Sequence, residues 1–292
     1  MDAEAIVARL WPDRSARIEV LGGGLTNHNY KVSFGPGEAY VIRIAGHGTE
    51  LLGIDRAVEH EAARVAASLG VGPEVVALLD GCLVTRFLEG EIVPVERMAE
   101  PETVRRVAHT LRAVHTGPAI SGRFDSFRVV ETYRDVAAGR GGRIPPAFDG
   151  ALALAREIEQ ARSGAPERLC HNDLLNANFI DDGTQIRIVD WEYAGMGDVL
   201  FDLANFAVNH GLDDDRARLL LEAYFGEVRD ADERGLVLMR FMSDFREAMW
   251  GVVQAVVSEL DGDFDVYAAE HFERLERTAA SDTFRAALGA SV

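Results

Sequence analysis

The stretch Leu169–Tyr193, LCHNDLLNANFIDDGTQIRIVDWEY, constrains what this chain can fold into more than any other. It reads as strand, loop, turn and strand, with His171, Asp173, Asn178, Asp190 and Glu192 spread along it. Ile186, Ile188 and Val189 form a short apolar run with Asp190 at its tip, and Asp181-Asp182-Gly183 has the chemistry of a hairpin turn that folds this run back beside the first strand. Rigid strand ends hold a functional side chain better than a loop does.

The spacing then points to a chemistry. Asp173 and Asn178 stand five residues apart and Asp190 follows twelve later. In phosphoryl transfer one Asp accepts or orients the proton of the attacking hydroxyl, an Asn beyond it holds a magnesium ion, and a second Asp joins metal and phosphates. Asp173, Asn178 and Asp190 can fill these roles in that order. Asp and Asn are also common in loops, where they bond nearby backbone. The addition of His171 and of a hairpin carrying Asp190 sets this stretch apart from such a loop.

The chain has 292 residues, enough for one large domain or two lobes. Its net charge of −18 argues against nucleic acid or an anionic membrane as partner and is compatible with a cationic substrate. An anionic nucleotide would then need local donors, and Lys31 is the sole lysine. No apolar run reaches membrane-spanning length, and the amino end MDAEAIVARLWPDR is acidic and mixed. Cys82 and Cys170 read as reduced, buried thiols. Together these features predict a cytoplasmic protein.

Before about residue 90 the patterns are mostly those of strands: Ala16–Leu21, a run through Tyr30, Val32 and Phe34, AYVIRIAG, Val75–Leu79 and Cys82–Phe87, the last two joined by Asp80-Gly81. Gly22, Gly23 and Gly24 form a flexible turn that could bring backbone N–H groups to phosphates, and Thr26 and Asn27 add side-chain donors. Arg43 sits mid-strand, where a protein kinase places its phosphate-pairing lysine. A helix from about Ile54 to Leu69 carries Glu59 and Glu61, and Glu59 is the expected partner of Arg43. Phe87, Leu88 and Glu89 lead out of the last strand as candidates for reading an adenine edge.

From Pro101 the spacing is helical, over Pro101–Thr116, 150–162, Val199–Asn209, Asp213–Phe225, Asp230–Leu260 and Asp263–Thr278. The segment 119–150, rich in Gly, Pro and Arg, reads as a long loop with a helical piece around Val130–Ala138, and AGMGD after Tyr193 reads as a turn. His109 and His115 are expected to pack or cap. Asp198 and Asp202 could each cap a helix or hold the loop around Asp173.

Taken in order, GGGLTNHNYKV, YVIRI, the helix glutamate, HNDLLNAN, IVDWEYAGMGDVLFDLANF and FREAMWGVVQAVVSELDGDFDVYAAEHFERL resemble the choline/ethanolamine kinase branch of the aminoglycoside phosphotransferase superfamily. The resemblance implies an α+β, two-lobed protein-kinase-like fold. Residues 1–90 would be a small nucleotide-binding lobe, an antiparallel sheet plus one helix, and 91–292 a larger, mainly helical catalytic and substrate-binding lobe. It implies ATP and Mg2+, with Asp173 as catalytic base, Asn178 and Asp190 as metal ligands, and Arg43, held by Glu59, on the phosphates. Glu192 would face the metal or the substrate cation from a strand. Trp250 matches a cage tryptophan for a quaternary ammonium, with Tyr267 and Phe272 nearby. Val253 stands where the family often has a second tryptophan. The implied acceptor is a small cationic alcohol, choline first, with ethanolamine or an aminoglycoside as alternatives. A nucleotide-binding pseudokinase is the alternative of another class, against which the intact Asp173, Asn178 and Asp190 argue.

Overall fold

The computed structural model describes residues 2–22, 27–46, 48–258 and 262–289. The chain begins with α1 (Ala3–Leu10), whose first turn is capped by the Asp2 carboxylate accepting from Ala5 N at 2.9 Å. Five strands follow: β1 (Arg17–Leu21), β2 (Asn27–Gly35), β3 (Glu38–Ala45), β4 (Val75–Leu79) and β5 (Cys82–Arg86), with α2 (Arg56–Ser68) between β3 and β4. They form one antiparallel sheet in the order β1-β2-β3-β5-β4. The β4–β5 hairpin turns on Asp80 and Gly81, both at positive φ (50° and 82°), the left-handed pair that a two-residue turn requires. One apolar cluster joins Ile6 and Val7 of α1 to Val32, Ile42, Cys82 and Val84 on the sheet. On α2, Ala62, Ala63 and Ala66 instead join the larger core of the rest of the molecule.

Beyond the sheet lie β6 (Glu91–Ile92), α3 (Pro101–His115), α4 (Ser126–Gly139), α5 (Phe148–Ala161), β7 (Glu167–Cys170), β8 (Phe179–Asp181), β9 (Ile186–Ile188), β10 (Gly195–Asp198) and five helices. These helices are α6 (Val199–Asn209), α7 (Asp214–Phe225), α8 (Asp230–Val257), α9 (Phe264–Ala280) and α10 (Asp282–Gly289). The 28-residue α8 is the spine: Met239, Phe241, Met242, Phe245 and Met249 are wholly buried. No helix among the described residues is long and apolar enough to cross a membrane. The architecture is the α+β one expected, an antiparallel amino-terminal lobe against a helical carboxy-terminal part.

Local patterns misled in four places. The helical piece expected around Val130–Ala138 within 119–150 starts a turn earlier, as the 14-residue α4, because Asp125 caps it through Phe127 N and Arg128 N, and Val130, Tyr133 and Ala137 bury one face. AGMGD is not a turn but the strand β10, antiparallel to β7. It also runs so close to residues 123–124 that a Cβ on Gly195 would meet Phe124 N at 2.5 Å. Consequently β9 does not fold back on the Leu169 strand; it pairs with β8, and β8 with β6. The carboxy-terminal helices also divide differently, with α10 a separate element that buries Phe284.

Candidate active site

The loop between β7 and β8 is held from below by one buried carboxylate. Asp202, on the first turn of α6 and fully buried, accepts from His171 N and Asn172 N, each at 2.7 Å, and from His115 Nε2 at 3.0 Å. Burial alone would raise its pKa, but His115 and the loop N–H groups prevail and hold it below the usual carboxylate value. Asp198 instead caps α6 through Leu200 N and pairs with Arg162. Thus of the two acids, Asp202 holds the loop. Asn205, one turn further on, accepts from Leu174 N at 2.7 Å.

This anchoring fixes the side chains above it. His171 Nε2 bonds to Val189 O at 2.9 Å and its Nδ1 accepts from Asp173 N at 3.3 Å, which sets the neutral tautomer with the proton on Nε2. Burial lowers its pKa in the same sense. Trp191 packs edge-on against the imidazole at 4.8 Å. Asn172 and Asp190 both have φ of 68°, a left-handed backbone that costs most residues energy and that Asn and Asp tolerate best. The loop and the tip of the hairpin are therefore bent to aim Asp173 and Asp190 into one space.

Asn178 Nδ2 donates to Asp173 O at 2.8 Å and to Asp173 Oδ2 at 3.3 Å, bringing the two residues together. The Asp173 carboxyl is pushed up to about 8, chiefly by burial, with Arg246 opposing and Glu247 adding to the rise. Asp190 is paired with Arg43 Nη2. Burial raises the Asp190 pKa, yet the Arg43 guanidinium outweighs it and keeps the carboxyl below its ordinary value. On its other side Arg43 Nη1 meets Glu59 Oε1 at 2.7 Å. Glu61 turns away, accepting from Ser121 N and Oγ.

The remaining candidates divide. Gly24 and Thr26 lie outside the described residues. Asn27 donates to Glu192 Oε2 at 2.8 Å and accepts from Arg56 Nη2 at 2.9 Å, so its side chain joins the sheet to α2 and the 191–194 turn. Glu192 lies in a turn, not on a strand, and is buried. It receives Asn27 and, at 3.3 Å, Arg56. Phe87 N donates to Ala39 O at 2.9 Å, and Leu88 and Glu89 continue beyond the end of β5. Between α8, α9 and the 191–194 turn, Trp250 Nε1 donates to Tyr193 Oη at 3.0 Å, and Tyr267 Oη donates to Glu247 Oε2 at 2.8 Å. Phe272 is core, packed on Phe245. Val253 is core as well, wholly buried.

Three participants were not foreseen. Arg56, at the first position of α2, bridges Glu59, Glu192 and Asn27. Its three-residue spacing from Glu59 on a helix was the available signal. Arg246 and Glu247 lie on α8 one turn before Trp250, both almost fully buried. Arg246 Nη1 meets Glu247 Oε1 at 2.6 Å and lies 3.7 Å from Asp173 Oδ1.

With this geometry in hand, residues 17–236 match the Phosphotransferase enzyme family, well over half of the chain. The chain belongs to that family. Its relatives place it in the choline/ethanolamine kinase branch. It is 26% identical to mouse ethanolamine kinase 1 over 308 aligned residues, covering 90% of this chain and 84% of the relative. It is likewise 26% identical to protein LicA of Haemophilus influenzae, over 83% of this chain and 75% of that one. A solved choline/ethanolamine kinase family protein from Mesorhizobium loti superposes with a TM-score of 0.85 at 31% identity, covering 99% of this chain and 97% of the other. Members of this branch are phosphotransferases with an alcohol group as acceptor, and so is this chain.

Proposed function

We propose that this protein transfers the γ-phosphoryl group of ATP to the hydroxyl of a small amino alcohol, in the cytoplasm. The observation that carries the reading is the convergence of Asp173, Asn178 and Asp190 on one space, with the Arg43–Glu59 pair on one side and Trp250, Tyr267 and Glu247 on the other. Asp173 is the group that accepts or orients the proton of the acceptor hydroxyl, and Arg43 the cation that meets the phosphates. The hinge Phe87–Glu89 passes the base.

The donor set suits magnesium, which prefers hard oxygen ligands. Asn178 spends its Nδ2 on Asp173, so its Oδ1 is the atom to offer a cation, and Asp190 supplies a carboxylate. Bound there, magnesium would neutralise charge on the β- and γ-phosphates. The chain's own work is positional: Asp202 and Asn205 fix the loop and Glu59 fixes Arg43.

Two acceptors stay open within this reading: choline, which the aromatic rings of Trp250 and Tyr267 would suit, and ethanolamine, which the ethanolamine kinases among the relatives favour. A panel of choline, ethanolamine, sugars and aminoglycosides, with γ-phosphate transfer as readout, separates these. Turnover of an amino alcohol that disappears in Asp173→Ala supports the reading. MgATP binding with no phosphorylated amino alcohol would overturn it in favour of a nucleotide-binding pseudokinase.

A further inference from the structure

The acceptor side holds a cation of its own. The Arg246 guanidinium carbon lies 4.4 Å from the centroid of the Tyr193 ring, the position in which an aromatic face attracts a cation. Tyr193 is joined to Trp250 by the 3.0 Å hydrogen bond, and Arg246 is 3.7 Å from Asp173, so this ring stands between the aromatic cluster and the base. The other rings are also engaged with one another: Trp250 with Tyr267 at 5.6 Å and with Phe264 at 5.9 Å, and Tyr267 with His271 at 4.5 Å.

A quaternary ammonium has no N–H and is bound by aromatic faces and bare charge. Here the Tyr193 face carries an arginine, and the nearby Glu247 carboxylate is already neutralised by that same arginine at 2.6 Å. The arginine itself is incompletely used. Its Nε and Nη2 are buried and have no hydrogen-bond partner among the described residues. Buried charged donors without acceptors are costly, so such a group favours an oxygen acceptor, which the hydroxyl of either alcohol supplies, and the discrimination between the two falls to the cation position over Tyr193 and to the acceptors around it. A carboxylate offers about four lone-pair sites. Glu247 therefore keeps acceptor capacity for an N–H beyond its contacts with Arg246, Tyr267 and Asn205.

We propose that Arg246 determines acceptor selectivity, by filling the cation position over Tyr193 and turning the pocket from trimethylammonium recognition to hydrogen-bond recognition of a primary amino alcohol. The proposal rests on the amino-alcohol kinase reading and names which member of that class is taken.

The full-length protein and its Arg246→Met, Arg246→Gln and Arg246→Gln/Glu247→Gln variants would be compared in two measurements. The double variant removes both charges, so that Glu247 is not left buried and unpaired. In the first, kcat/KM is taken for ethanolamine and for choline. The unaltered protein should prefer ethanolamine, and the variants should shift the ratio toward choline roughly tenfold, the scale of one cation–π contact, with KM for ATP unchanged. In the second, tryptophan fluorescence follows titration with tetramethylammonium, a probe that needs no turnover. The variants should bind it roughly tenfold more tightly than the unaltered protein. A preference of the unaltered protein for choline overturns the proposal without any variant. So does a variant that loses kcat while its acceptor ratio and tetramethylammonium affinity stay fixed. If neither alcohol is phosphorylated, the kinase reading fails, and the titration alone still decides the role of Arg246.

Discussion

Replacing Asp202 with Asn tests whether one carboxylate under the 171–178 loop organises the candidate site. The change keeps the shape of the side chain and removes its charge. Asp202 takes three hydrogen bonds, from two backbone N–H groups at 2.7 Å and from His115 at 3.0 Å. An asparagine presents one oxygen and one NH2, so at least one backbone donor of the loop must face another donor. Hydrogen bonds to a charged group contribute about 1.5–3 kcal/mol each, and a buried donor left unmade costs about 1–3 kcal/mol. The loss should therefore be about 3–5 kcal/mol, a fall in Tm on the order of 10 °C for a chain of this size. Since His171 and Asp173 are placed by this loop, kcat should fall by at least about tenfold even where the variant is folded, a displacement effect of the kind that mis-set geometry produces. The Asp202 pKa is lowered in the folded state, so its contribution is complete above the unfolded carboxylate value and is lost only as pH falls through the folded one. The deficit of the variant should thus be constant from pH 6 to 8. Urea unfolding followed by circular dichroism gives the stability, and a coupled ATP assay gives kcat. Wild-type stability together with wild-type kcat in Asp202→Asn would refute the reasoning.

At Asp190, substitution by Ala should abolish turnover in the same coupled assay. Glu59→Gln should lower kcat/KM for ATP by roughly 10- to 100-fold, because it weakens a buried charged bond to Arg43. Glu61→Gln, two residues on and bonded to Ser121, should leave it within about threefold. Asp173 has a folded pKa raised to about 8, so its favourable contribution is complete below the unfolded carboxylate value and is lost as pH rises through 8. Asp173→Asn should therefore be the more stable protein at pH 9, by a few kcal/mol, and the gap should narrow steadily toward pH 5. Chemical denaturation at the two pH values checks this, and an unchanged gap counts against a buried, high-pKa carboxyl.

Strands announced themselves where alternation and turn chemistry agreed, as around Asp80-Gly81, and helices where caps and apolar periodicity agreed, as from Pro101 to His115. The misses came where a long-range partner overruled a local signal. Two glycines made AGMGD look like a turn, whereas they allow β10 to press against residues 123–124. Within 119–150 the helical piece around Val130–Ala138 was legible, but its start at Ser126 and the anchoring of Tyr133 Oη on Leu52 O across the core were not.

At the site the sequence alone brought forward Asp173, Asn178 and Asp190 as the candidate reacting groups, because their order and spacing along a strand-and-hairpin frame are local properties. Glu59 was the expected partner of Arg43 by analogy with the kinase helix glutamate; Glu61, about 200° further round the helix, cannot share that face, and the structure turns it to Ser121. Which acid would hold the loop, whether Glu192 would face a ligand or the opposite lobe, and what would lie on the face of Tyr193 could not be read there. Those answers depend on contacts between residues far apart in sequence, 31 positions from His171 to Asp202 and 165 from Asn27 to Glu192. A buried charge takes its state from whatever packing brings beside it. Tertiary structure alone decided that the cation over Tyr193 is Arg246.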